Sequence, residues 1–207
     1  MTIIDNLEKI KSLLEFREGI FYYIQVIQRK KENPSLDVSD IKRYQTYITS
    51  KEDLDRHFPR IMKICKDYCA RAYISVIPRS LEKLTKACAL EYVKRINSGE
   101  YKRAWDIPNR LALSPEVRAK SKGGKKPLWM LDIDNPDDKE AISKLILEKG
   151  IRVAEELPTL NGYHLLVETF NPSLLADYKK GEDYVLPDGE RFTFRQEANT
   201  ILFAVCP

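Results

Sequence analysis

The segment Pro127-Leu-Trp-Met-Leu-Asp-Ile-Asp134 constrains the fold more than any other part of this chain. Leu128 to Leu131 is a short apolar run and reads as a buried strand. It ends on two carboxylates separated only by Ile133. Alternate residues of a strand point to the same side, so Asp132 and Asp134 project together. Two like charges this close raise each other's pKa unless a counter-charge is present. A divalent cation is the usual remedy. Mg²⁺ or Mn²⁺ takes oxygen ligands and keeps positions open for phosphate. The competing reading is a strand that runs into a polar turn, Asp134-Asn-Pro-Asp-Asp138.

A second feature bears on that choice. Pro158-Thr-Leu-Asn-Gly-Tyr-His164 is followed by the apolar Leu165, Leu166 and Val167. Asn161-Gly162 is a strong hairpin-turn signal, which puts His164 at the start of the outgoing strand. A single histidine at a strand end is more often a structural hydrogen-bonding group than a catalytic one. The order Asp-x-Asp strand, helix, strand, turn, His favours a shared site.

That order resembles the archaeo-eukaryotic primase, or primase-polymerase, superfamily. Its first motif is an apolar strand ending in Asp-x-Asp, matched here by Leu131-Asp-Ile-Asp134. Its second is a small residue and then a His entering a strand, matched by Thr159-Leu-Asn-Gly-Tyr-His164. Upstream, Arg71-Ala-Tyr-Ile-Ser-Val-Ile-Pro-Arg79 is similar to the strand that precedes the Asp pair in many members. The similarity spans roughly residues 60 to 205. It implies nucleotidyl transfer on nucleic acid, with nucleoside triphosphates and a single-stranded template as partners and Mg²⁺ or Mn²⁺ as cofactor. Asp132 and Asp134 would hold metal, and His164 would contact the phosphates of the incoming nucleotide. The third motif, an apolar residue followed by an acid, has no clear match; Asp188 and Glu197 are the two candidates. Arg79, at a strand end, is a candidate phosphate ligand through its planar fork. Lys120, Lys122, Lys125 and Lys126 form a positive run just before the Asp pair. Lys125 and Lys126 in particular are candidate phosphate contacts; the alternative is a solvated loop.

At 207 residues the chain can bury a good core in one or two domains. Its formal net charge of +4 permits a nucleic-acid partner without demanding one. No apolar stretch is long enough to cross a membrane and no signal peptide precedes the first helix, so a cytoplasmic protein is expected. Cys65 and Cys69 lie four apart on one helix face with no second pair to complete a zinc set, so they read as reduced packing residues. No Gly-x-x-x-x-Gly-Lys loop and no Gly-x-Gly-x-x-Gly loop is present, which argues against P-loop and dinucleotide enzymes.

The periodicity predicts a helix over 4–16, strands over 19–27 and 41–49, a helix over 50–68, a strand over 72–77 and a helix over 80–97. After an irregular stretch at 100–126 come the Asp strand, a helix over 137–149, strands over 151–157 and 163–169, and a short helix over 171–178. A polar loop covers 179–190, and strands cover 191–195 and 200–205. This is an α+β pattern, with a mixed or antiparallel sheet and helices on one face. The resemblance implies a ferredoxin-like, RNA-recognition-type core. A helix-plus-hairpin module over 1–58 and a core over 59–207 are expected, or one continuous domain. The aromatics Phe21, Tyr22, Tyr23, Tyr44 and Tyr47, interleaved with basic residues, raise single-strand stacking as an option beside ordinary core packing. Trp105 and Trp129 read as packing residues. Two other functions compete. One is a non-catalytic binding module that keeps the primase-like sheet. The other, less favoured, is a haloacid-dehalogenase-type phosphatase, whose nucleophile strand also ends in Asp-x-Asp but leaves too little chain here for its later motifs.

Overall fold

A computed structural model describes residues 2–37, 43–120, 126–175, 183–196 and 199–206. In chain order the elements are β1 (Thr2–Asp5), α1 (Leu7–Leu13), β2 (Ile20–Gln28), β3 (Arg43–Ile48), α2 (Lys51–Tyr68), β4 (Ala70–Ser75), β5 (Arg79–Ser80), α3 (Leu81–Ser98) and α4 (Ile107–Leu111). They continue with β6 (Leu128–Ile133), α5 (Lys139–Glu148), β7 (Val153–Pro158), β8 (Tyr163–Glu168), β9 (Asp183–Val185), β10 (Arg191–Arg195) and β11 (Asn199–Cys206). The protein is α+β, and its strands pair antiparallel in two sheets. One sheet runs β1-β11-β4-β2-β3, with β5 added beside β2; the other runs β7-β8-β6-β10-β9. Among the described residues no helix is long and apolar enough to cross a membrane.

Local chemistry explains most of these elements. Ser50 caps α2 by accepting from the Asp53 backbone amide at 3.0 Å, with Glu52 and Asp53 in the first, dipole-positive turn. Leu54, Phe58, Ile61 and Cys65 recur at helical spacing and bury one stripe of α2 against the first sheet. Each such side chain contributes about 2 kcal/mol of transfer free energy before its ordering cost. Burial pushes the Cys65 thiol up to about 12, so it stays neutral and packs as an apolar group. Ser80 caps α3, and Gly99, left-handed at φ 70°, ends it.

In the second sheet the alternation is clean. Leu131, Ile133, Leu165, Val167, Phe192 and Phe194 face α5 through Ile142 and Ile146. Met130, Leu157 and Leu166 face the other way, into the core shared with the first sheet.

Several expectations need correction. The N-terminal helix is shorter than its periodicity predicts: residues 2–5 are a strand paired with β11, because backbone pairing there outweighs local propensity. A boundary at residue 58 falls inside α2, and β2 pairs with β4 across it. Phe21, Tyr22 and Tyr23 are fully buried, with Phe21 and Tyr47 in edge-to-face contact at 5.2 Å, so these aromatics build core rather than a stacking platform. Trp129 packs against Phe170 and Phe194, but Trp105 is 78% exposed. Only the turn Pro172–Leu174 represents the helix expected over 171–178 among the described residues.

Candidate functional site

The Asp pair sits at the end of β6, where that strand is flanked on both sides. Asp132 lies directly across from His164 of β8 and from Thr193 of β10, and Thr193 lies across from Asp183 of β9. One transverse row therefore reads His164, Asp132, Thr193, Asp183 over four strands. Alternation puts this row on the same side as Met130 and Leu166, away from α5.

The row is tied together by hydrogen bonds. His164 Nε2 is 3.3 Å from Asp132 Oδ1, and His164 Nδ1 is 2.7 Å from Thr200 Oγ1 on β11. Nε2 must carry the proton to donate to a carboxylate, so a neutral ring accepts from the Thr200 hydroxyl. Arg195 Nε donates to Asp132 Oδ2 at 3.4 Å. Burial alone would raise the Asp132 pKa; the His164 hydrogen bond and charge, and then Arg195, outweigh it and hold the carboxyl below the usual range. On the far side, Thr193 Oγ1 donates to Asp183 Oδ1 at 2.6 Å.

The hairpin that carries His164 is pressed against the Asp pair. Thr159 N donates to the Gly162 carbonyl at 2.8 Å, and Gly162 N donates back to Thr159 Oγ1 at 3.0 Å, closing a loop between Pro158 and Tyr163. The Asn-Gly signal found the hairpin, but the glycine serves another purpose. A Cβ at Gly162 would sit 1.9 Å from the Ile133 carbonyl oxygen, between the two aspartates. Only glycine lets the backbones approach this closely.

Asp132 and Asp134 separate two hollows. A cleft of about 240 Å³ is lined by both aspartates with Asn135, Asp183, Arg191 and Thr193. A larger groove of about 620 Å³ lies between the sheets. Its second-sheet wall holds Asp132, Asp134, His164 and Arg195, with Thr159 and Asn161 from the hairpin loop. Its first-sheet wall holds Arg71, Tyr73, Asn199 and Ile201, with Arg29 and Lys31 from the turn after β2.

The other expected site residues lie elsewhere. Arg79 is fully buried; it donates to the Ser114 carbonyl at 3.0 Å and to Ser75 Oγ at 3.2 Å, and lines neither hollow. Lys126 borders a different cavity with Arg17, Arg152 and Glu168, at the opposite end of β6 from the aspartates. At about 3.3 Å per residue, the length of a strand puts it roughly 20 Å from Asp132. Asp188 is exposed in the turn that joins β9 to β10 and lines neither hollow. Lys122, Lys125 and Glu197 lie outside the described residues. Asp138 and Asn135, from the polar turn, brace the start of α5: Asn135 Nδ2 donates to Asp138 Oδ1 at 2.7 Å, and Arg191 N donates to Asp138 Oδ2 at 3.1 Å.

Sequence reading missed Asp183, Thr193, Arg195 and Thr200. The alternation Arg191-Phe-Thr-Phe-Arg195 marks Thr193 and Arg195 as one face of a strand. Asp183 lay hidden in a stretch that reads as a polar loop, although Tyr184-Val-Leu before Pro187-Asp-Gly189 is a short hairpin signal.

Among the described residues no three His, Cys, Asp or Glu side chains form a ready-made metal cage. Mg²⁺, however, is typically held by one or two carboxylates plus substrate phosphates, and two same-side carboxylates at the mouth of a groove suit that mode. Comparison with protein-family models, curated proteins and solved structures returns no match.

Proposed function

We propose that the protein is a primase-polymerase-like nucleotidyltransferase that uses a divalent cation and nucleoside triphosphates on a nucleic-acid template. One observation carries the reading: Asp132 of the Asp-x-Asp motif and His164 of the second motif, thirty-two residues apart, are cross-strand partners with side chains 3.3 Å apart. The strand order β7-β8-β6-β10, with α5 crossing from β6 to β7, also supports a ferredoxin-like, RNA-recognition-type core.

Asp132 and Asp134 would hold Mg²⁺ or Mn²⁺, which stabilises charge on the attacking and leaving oxygens of a phosphoryl transfer. Thr200 and His164 fix the orientation of Asp132. Both His164 nitrogens are engaged within the protein, so a phosphate contact requires Nε2 to turn from Asp132 Oδ1. Arg195, half exposed, is free to swing from Asp132 toward an anion in the groove.

A second reading has its own support. The residue beside Asp132 on β10 is Thr193, a hydroxyl in place of a third carboxylate for the metal site. A binding module that keeps the groove without turnover fits that substitution.

Purified protein with Mn²⁺, nucleoside triphosphates and a primed single-stranded template should extend the primer, and Asp134→Ala should abolish extension. Mn²⁺ at about 100-fold its Kd should stabilise the wild type by about 2.7 kcal/mol, and not the Asp132→Asn/Asp134→Asn variant. Nucleotide binding without extension would favour the binding module. No metal response at all would rule out the metal-dependent nucleotidyltransferase reading.

A further inference from the structure

The first-sheet wall of the groove carries a charged cluster of its own. Arg71 lines the groove yet is only 8% exposed. Its Nη2 donates to Glu32 Oε1, and Arg29 Nη1 lies 3.7 Å from the same oxygen. The Glu32 side chain is itself almost fully buried. Among the described residues, Arg71 Nε and Glu32 Oε2 are both buried without a hydrogen-bond partner.

This arithmetic does not balance. Two guanidinium groups bring two positive charges and about five N–H donors each, against one carboxylate. Arg71 is buried and paired with Glu32, while the more exposed Arg29 shares the same carboxylate oxygen. A purely structural ion pair would be one to one. Here a positive surplus remains at the wall of an open groove, and Lys31 adds a third cation beside it.

The cluster is also held in place from behind. Asn33 Nδ2 donates to the Arg29 carbonyl at 3.0 Å and to the Cys69 carbonyl at 3.2 Å. Gln28 Nε2 donates to Asn33 Oδ1 at 3.1 Å and to the Tyr68 carbonyl at 2.8 Å. The turn after β2 is thus pinned to the end of α2. Donors fixed in advance lose less freedom on binding, and this favours affinity.

We infer that Arg71 and Arg29, held by Glu32 and joined by Lys31, form a polyphosphate receptor that takes the triphosphate tail of a nucleotide bound in the groove. Guanidinium forks match phosphate oxygens bidentately. The groove volume of about 620 Å³ falls inside the range of small-molecule sites, about 300–1,000 Å³. A compact polyanion between two walls fits it better than a strand, which needs an open basic path with stacking aromatics. The nucleotide's identity rests on the nucleotidyl-transfer reading; the capture of polyphosphate does not.

The test is titration calorimetry of the whole protein with sodium tripolyphosphate and no metal. Saturable, salt-sensitive binding is expected. Arg29→Gln/Lys31→Gln, placed in a turn outside the strands, should weaken it at least tenfold with the melting temperature unchanged. Arg71→Lys, which keeps the charge but removes the fork, should weaken it too. Wild-type affinity in both variants overturns the inference, as does an absence of tripolyphosphate binding in the wild type. It is also overturned if the variants lose affinity for a single-stranded oligonucleotide but not for tripolyphosphate, since the cluster would then read nucleic-acid backbone. Tripolyphosphate binding lost in the variants, with no primer extension by the wild type, would leave this inference standing and sink the polymerase reading alone.

Discussion

The two walls of the groove are built in opposite ways. The second-sheet wall comes from one contiguous stretch: Asp132 and Asp134 on and just past β6, His164 on β8 and Arg195 on β10. The first-sheet wall is gathered from Arg29 and Lys31 after β2, Arg71 and Tyr73 on β4, and Asn199 and Ile201 on β11. The first wall's cations outnumber the acid they share, Glu32, and the second's acids are set against a histidine and an arginine. A contiguous wall can be written as a short motif. A gathered wall exists only where distant strands pair.

Four outcomes would break or sharpen that contrast. The largest concerns the contact that holds the motif wall together. Gly162→Ala places a methyl into the Ile133 carbonyl, 1.9 Å away, and should cost about 3 kcal/mol or more as the hairpin is forced off β6. Urea unfolding measures it; an unchanged midpoint would mean the hairpin does not press on the Asp strand.

The next concerns the bond between the walls. Thr200 is fully buried and its hydroxyl partners His164 at 2.7 Å. Thr200→Val keeps the shape and leaves His164 Nδ1 without that partner, at a cost of about 1–3 kcal/mol. Extension activity should fall more than stability alone explains, because Asp132 loses its orientation. Thr200→Ser should restore both.

A smaller effect follows from charge. The Asp132 pKa is depressed in the folded state, so its contribution is fully present above the unfolded value of about 3.9 and is lost as pH falls through the lower folded value. Thermal melts of wild type and Asp132→Asn should therefore converge below about pH 4. Parallel curves down to strong acid would mean that His164 and Arg195 do not stabilise the carboxylate.

The smallest is Arg195→Gln. Arg195 is half exposed, so losing its pairing with Asp132 should change stability by about 0.5 kcal/mol or less. It also removes a cation that competes at Asp132, so Mn²⁺ should bind about twofold more tightly, the factor that such an energy represents. Weaker Mn²⁺ binding would show that Arg195 supports the site rather than competing for it.

These contrasts explain what could be read from the chain. The Asp strand, the hairpin and the Ser50 and Ser80 caps are local signals, and each stands where periodicity or turn chemistry puts it. The pairing of Asp132 with His164 followed from two motifs on neighbouring strands. Arg79 misled because a guanidinium at a strand end looks exposed; only tertiary packing buries it against Ser114 and Ser75. Lys126 misled by proximity in sequence, since β6 carries the chain away from it before the aspartates are reached. Residues 4 and 5 looked helical because nothing local announces their pairing with β11.

That last pairing bears on the order of folding. The second sheet uses residues 128–195 alone. The first sheet needs Thr2 beside Cys206, with β11 inserted between β1 and β4. Closing so long a loop is entropically costly and slow, and its reward comes only at the end. A chain emerging from the ribosome can therefore present its aspartates and histidine while Thr200, the hydroxyl that aligns them, is still to come. The motif side chains would be present before the geometry that aligns them. A nascent or C-terminally frayed protein would carry the motif without the groove, exposing Met130, Leu157 and Leu166 to any other strand in search of an edge.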